Sequence, residues 1–237
     1  MLKHIYLDKL FYFFLLIIIL TGNFNNFVPY FSLLIIHEFG HAIIGIMMGY
    51  NLDKIIIYPY GGITVFNLPL NIPLNKELLI LVMGPIFQIL GYLVLKQFYS
   101  HIYLYHYALL FFNLLPIYPL DGGKIFNILC GYLFNYLKSF YITFIISILF
   151  IIGVLIYSLN NFNLNLLLMV LFMFIKLLKI YQKRYFYYNR FLLERYLYEY
   201  HFTKIKIINN GKCFYRDRQH IINFQKEKDY LKKVFHK

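Results

Sequence analysis

A chain of 237 residues that is 61% hydrophobic and only 14% charged is not an ordinary soluble domain, which would be about 25% charged. Its formal net charge of +13 is uneven, because residues 176–237 hold 16 of the 23 Lys and Arg and 5 of the 10 Asp and Glu. Such a basic end suits a cytoplasmic segment that meets anionic headgroups, and no RNA- or DNA-binding motif turns it towards nucleic acid.

In chain order, a basic start and an apolar run without a small-residue cleavage site read as an uncleaved first span, residues 5–22. The second span, Phe27 to Gly49, carries His37, Glu38 and His41 as H-E-x-x-H. Residues four apart share a helix face, so His37 and His41 can offer ring nitrogens to one metal ion. Glu38 is placed to act on an attacking water. On a soluble helix this pattern could be coincidence. Inside an apolar span three polar side chains cost a few kcal/mol unless something satisfies them, and a metal does so. Gly40 leaves room for a second backbone beside the helix.

Residues 51–76 contain three prolines and a Gly-Gly pair. IIIYPY and ITVF, flanking Gly61 and Gly62, read as two short strands with the glycines at the turn. This hairpin belongs at the membrane face, as a plain connection or as an edge that takes an extended substrate by strand addition. A third span over residues 78–97 holds Gly84-Pro85, a kink or a close-packing point, and Gln88, which needs a partner. A fourth, residues 102–120, ends in a polar island: Asn113, Pro116, Pro119 and Asp121, with Gly122-Gly123 allowing a tight turn. A catalytic zinc keeps three protein ligands, and Asp121 is the best candidate for the third. Spans five and six follow at residues 139–159 and 164–180. The tail shows a helix around Phe191 to Phe202, a strand in KIKII and a turn at Asn210-Gly211. Two distant cysteines, Cys130 and Cys213, make no disulfide framework. His4, His101, His106, His201, His220 and His236 read as interfacial or solvated.

The fold class expected is thus an α-helical integral membrane protein with about six transmembrane helices, a membrane-associated hairpin and a short cytoplasmic tail. Its parts are residues 1–26, a first span and link; 27–137, a catalytic core; 138–180, two last spans; and 181–237, the basic tail. Both termini fall on the cytoplasmic side of the cell membrane. Lys3, Lys9, Lys54, Lys76, Lys124 and Lys138 then lie inside with them, and Lys96 is the exception.

HEFGH in an early span followed by NLLPIYPLDGG in a later one resembles the site-2 proteases, intramembrane zinc metalloproteases. The short chain is most similar to their stage IV sporulation protein FB branch, over residues 27–180. The resemblance implies one zinc per chain on His37, His41 and Asp121, with Glu38 as catalytic base. It implies that Asn113 and Pro119 position substrate and that the YGG hairpin with Gly61 and Gly62 is a membrane-associated strand pair. MGPIFQ is similar to the family's G-P-x-x-N element, with Gln88 in place of Asn. The expected activity is peptide-bond hydrolysis of a membrane-associated protein substrate in regulated proteolysis, within the lipid bilayer and under regulatory membrane proteins. The same residues would also serve an inactive membrane-holding pseudoprotease or, less well, a metal transporter.

Overall fold

A computed structural model of the chain describes residues 5–22, 24–58, 61–162, 164–198, 200, 202, 204–209 and 213–235. The chain divides into two units, Met1–Leu68 with Leu78–Leu115, and Pro69–Glu77 with Pro116–Lys237.

In the first unit, β1 (Ile5–Leu7) precedes α1 (Lys9–Thr21) and α2 (Phe24–Met47). The hairpin β2 (Leu52–Tyr58) and β3 (Gly61–Phe66) leads to α3 (Leu74–Leu95), whose first turn belongs to the second unit, and to α4 (Ile102–Leu114). Residues 5–7, expected in the first span, are a strand instead. Ile5, Tyr6 and Leu7 pair in parallel with Ile55, Ile56 and Ile57, so the sheet runs β1-β2-β3 with β3 at its edge. The glycines are not the turn. Gly61 and Gly62 open β3 and pair with Tyr58 and Ile57. Apolar side chains on α1, α2, β2 and α4 share one core containing Phe11, Leu33, Leu34, Ala42, Ile55, Ile57 and Leu109.

The fourth expected span stops early. Leu115 is extended, with φ −58° and ψ 137°, as a residue before a proline tends to be. The polar island then starts a helix. In the second unit, α5 (Asp121–Leu133) begins at Asp121, so Gly122 and Gly123 lie in its first turn and not in a tight turn. A Cβ on Gly123 would sit 2.4–2.6 Å from the backbone of Ile117 and Tyr118, and only glycine lets the two segments meet. Next come α6 (Tyr136–Asn160), capped by the Asn135 side chain accepting from Lys138 N, and α7 (Leu164–Gln182). Ser139, Thr143 and Ser147 form a small, buried stripe on α6. Their hydroxyls return to α6's own carbonyls, and Ser147 Oγ also accepts from Tyr118 N at 2.9 Å.

The basic tail folds. Here α8 (Arg184–Leu197), begun and ended earlier than the sequence suggests, leads to β4 (Ile205–Ile208), β5 (Gln219–Ile222), β6 (Gln225–Lys226) and α9 (Glu227–Phe235). The expected Asn210-Gly211 turn lies outside the described residues. β4 pairs in parallel with β5, and β5 antiparallel with β6. Phe191, Phe214, Ile222 and Leu231 are fully buried. A polar network crosses this core, in which Arg195 donates to Glu227 Oε1 at 2.8 Å and to Asn71 Oδ1 at 2.6 Å. Glu77 pairs with Arg216, and Leu74 N donates to Asp217 Oδ2 at 2.7 Å, so the tail holds residues 69–77. His220 is buried here, not solvated, because its two nitrogens are partners of Glu227 and the Tyr215 amide. His101 is exposed as expected, while His4, His201 and His236 lie outside the described residues.

Among the described residues, α2, α3 and α6 are long and apolar enough to cross a membrane. Helices occupy all six expected spans. However, α1 and α4 have 13 residues each, about 20 Å of rise against about 30 Å of hydrocarbon. Length and composition therefore support a membrane protein with three full-length spans directly, and the six-span count is not confirmed.

Candidate metal centre

His37, Glu38 and His41 are buried on α2. One helical turn separates the histidines, and their ring centroids are 4.9 Å apart. Facing them is a stripe on α3 at four-residue spacing, Ile80, Gly84 and Gln88. The Ile80 carbonyl lies 2.8 Å from His41 Nδ1. A carbonyl only accepts, so His41 Nδ1 carries a proton and donates it. Gln88 Oε1 lies 3.1 Å from His37 Nδ1. The far end of that amide sets its direction, because Gln88 Nε2 donates to the His106 carbonyl on α4 at 3.0 Å. Oε1 therefore faces His37, whose Nδ1 is again the donor.

Both imidazoles are thereby held with the proton on Nδ1 and a lone pair on Nε2. The two Nε2 atoms stand 3.2 Å apart. Both nitrogens are acceptors turned towards one point, where a single cation could be bound by the two. Neutral imidazoles whose outer N–H is anchored by a carbonyl or amide oxygen are how proteins present histidine to zinc, so the donor set fits that metal. Asn113 Nδ2 on α4 lies 3.4 Å from His37 Nε2 and reaches the same point.

Glycines make the fit possible. A Cβ on Gly84 would lie 2.2 Å from His41 Nε2, and one on Gly40 would lie 2.5 Å from the Met83 carbonyl oxygen. Gly84 thus serves close packing, one of its two expected uses, and Gly40 admits a neighbouring backbone. On β3, a Cβ on Gly62 would lie within 2.5 Å of Glu38 Cγ, Cδ and Oε1. Two residues on, Thr64 Oγ1 donates to Glu38 Oε2 at 2.7 Å. The strand edge therefore rests directly on the carboxylate and orients it. Gly61 has open space around it, so its neighbours leave room for a side chain.

The first unit thus gathers His37, Glu38, His41, Asn113 and Gly62. Asp121 and Pro119 belong to the second. Asp121 is buried at the start of α5, where a carboxylate meets the positive end of the helix dipole, and Lys124 Nζ lies 3.4 Å from its Oδ1. Pro119 lies in the irregular link before α5, after a cis peptide bond.

Sequence reasoning missed Thr64 and the Ile80 carbonyl, and it assigned no role to His106. That residue is buried, with its ring stacked on Tyr92 at 4.2 Å. The four-residue spacing of Ile80, Gly84, Gln88 and Tyr92 was a usable signal, since it marks one face of α3. A backbone carbonyl carries no signal in sequence.

No family model matches the chain. It is similar to stage IV sporulation protein FB of Bacillus subtilis, at 28% identity over 75% of this chain and 66% of the relative. It is also similar to a zinc metalloprotease of Methanocaldococcus jannaschii, at 31% identity over 68% of this chain and 52% of the relative. The chain therefore spans slightly under two thirds of one curated relative and about half of the other. Among solved structures it is similar to the site-2 protease from Methanocaldococcus jannaschii. The TM-score is 0.57 at 28% identity, covering 74% of this chain and 89% of that one.

Proposed function

Because this chain belongs to the site-2 protease family, we propose that it is an intramembrane zinc metalloprotease hydrolysing peptide bonds of membrane-associated proteins in regulated proteolysis. The observation that carries this reading is the pair of Nε2 lone pairs, 3.2 Å apart and fixed by their Nδ1 partners. Glu38, held by Thr64, lies beside them. His37, His41 and Asp121 are assigned as ligands. Asp121 is supported by its burial, its place at a helix start and its motif. Bound zinc would supply Lewis acidity, polarising the scissile carbonyl and making water acidic enough to yield a nucleophile near neutral pH.

The chain's own groups do the rest. Glu38 accepts the proton of the attacking water and returns it to the leaving amine. The Asn113 amide donates to the developing oxyanion. A substrate helix must unwind before attack, since its carbonyls are hydrogen-bonded within it. The free side of β3 offers replacement partners to an extended strand, and Gly61 and Gly62 let that strand approach. Pro119 is assigned to help position substrate on the strength of the motif it shares with Asn113 and Asp121. We assign six spans with both termini cytoplasmic, on the distribution of lysines between links. Likeness to a sporulation protein supports a role in sporulation.

The test is zinc per chain in purified, detergent-solubilised protein. Wild type should hold about one equivalent, and Asp121→Ala should hold it more weakly. A folded wild type that takes up no zinc when supplied with it would sink the reading.

A further inference from the structure

The C-terminal sheet has two unlike faces. Ile208, His220 and Ile222 are buried on the side of the core. Register puts Ile205, Ile207, Ile221 and Lys226 on the other side. Of these, Ile205 and Ile207 are 64% and 67% exposed. The β5–β6 turn is odder. Asn223 and Phe224 occupy it at φ 47° and 62°. A two-residue turn of this hand suits Asn and Gly, and a bulky side chain rarely adopts it. Phe224 does so while 98% exposed. Neither packing nor backbone preference explains an aromatic ring there, and strained, exposed positions of this kind mark surfaces that meet something.

We propose that this outer face, with Phe224 at its tip, docks on the surface of an anionic lipid bilayer. Three observations select that occupant. First, charge: Lys226 lies on this face by register, Lys204 and Lys206 alternate with its isoleucines and turn the other way, and with Lys232 and Lys233 these exposed cations of the module outnumber its exposed carboxylates, as suits a segment attracted to anionic headgroups. Second, tethering: α7 ends at Gln182 and α8 begins at Arg184, so the module follows its apolar helix with almost no linker. Third, seating: Tyr136, the first residue of membrane-length α6, donates its amide to Phe214 and stacks on Phe191 at 4.6 Å. The module is fixed to the end of a span, within reach of headgroups. Exposed isoleucines and an aromatic tip on a basic module match an interfacial surface, where apolar side chains enter the lipid and cations meet its headgroups.

The chain contains no tryptophan, so Phe224→Trp installs a single fluorescent probe in the full-length protein. It is reconstituted in nanodiscs of zwitterionic lipid alone or with anionic lipid, each also made with brominated acyl chains. The expected result is blue-shifted emission quenched by brominated lipid in anionic discs, with both effects reduced in zwitterionic discs and by added salt. Solvent-like, unquenched emission in anionic discs would overturn the proposal. Equal quenching in both lipids would overturn it too, since charge would then play no part. A blue shift without quenching, dependent on copies per disc, would assign the face to a second chain instead. Ile207→Trp repeats the measurement on the sheet face should the turn variant fail to fold.

Discussion

The α2–α3 centre and the C-terminal module both bury polar groups but resolve them in opposite ways. In the module, Arg195 donates to Glu227, to Asn71 and to the carbonyls of Arg218 and Tyr215, while His220 meets Glu227. Donors meet acceptors and opposite charges meet each other. At the α2–α3 centre the anchoring bonds fall on the outer nitrogens and turn the two inner nitrogens towards one point. The first pattern is self-contained and specifies a fold. The second converges ligand atoms on one point and makes sense where a cation completes it. Burial of polar groups alone therefore does not mark a site; the sign of what faces what does.

Breaking each pattern should give different losses. The largest is expected for Glu38→Gln, which should lower cleavage of a membrane-tethered reporter by about 10²–10⁴-fold while zinc content stays near wild type. Retained cleavage would remove Glu38 as the base. Next is Arg195→Met, which strands the buried Glu227 carboxylate and should destabilise the module by about 3–5 kcal/mol. Thermal melting with protease digestion of the tail reads this, and an unchanged midpoint would show that the network contributes little. A smaller effect follows from Gln88→Leu, which keeps the volume of the side chain but frees the His37 tautomer. Zinc affinity should fall about 10–100-fold, measured by chelator competition on folded protein. Asn at this position is one methylene short of spanning both His37 and the His106 carbonyl, so Gln88→Asn should not restore full affinity.

The difference between the regions also explains what was legible in sequence. H-E-x-x-H on an apolar stretch exposed the centre because the motif and its setting conflict, and such conflict is visible in residues alone. Helices α1 to α4, α6 and α7 followed from apolar runs and the break after Leu114 from two prolines, whereas α5, expected only as a tight turn, and α9 were not read. The first strand was lost because Ile5–Leu7 is as apolar as the span behind it, and only pairing with Ile55–Ile57 tells them apart. The Gly-Gly pair pointed to a turn, whereas Gly62 is needed for contact with Glu38. The folded tail was read as a short strand and a helix because its core draws on distant partners. Asn71 and Arg195 are far apart in sequence, and no local pattern joins them.

The smallest effect expected separates the regions by pH. His220 Nε2 accepts from the Tyr215 amide, so the ring is neutral when folded and its Nδ1–H donates to Glu227. Burial lowers its pKa from the ordinary 6.5, outweighing the opposing pull of Glu227. Glu227 also falls below its ordinary 4.5, because the hydrogen bond from His220 and the charge of Arg195 outweigh burial. In both cases the unfolded chain binds the proton more readily, so stability is full above the unfolded value and declines as pH falls. For His220 the decline begins near 6.5, and for Glu227 near 4.5. Acidification through the first window should make the tail more protease-sensitive before any effect of Glu227. His220→Gln, whose amide can donate and accept without titrating, should flatten that first step and leave the second. A wild-type profile already flat between neutral pH and the carboxylate range would show that His220 stays uncoupled from the stability of the module.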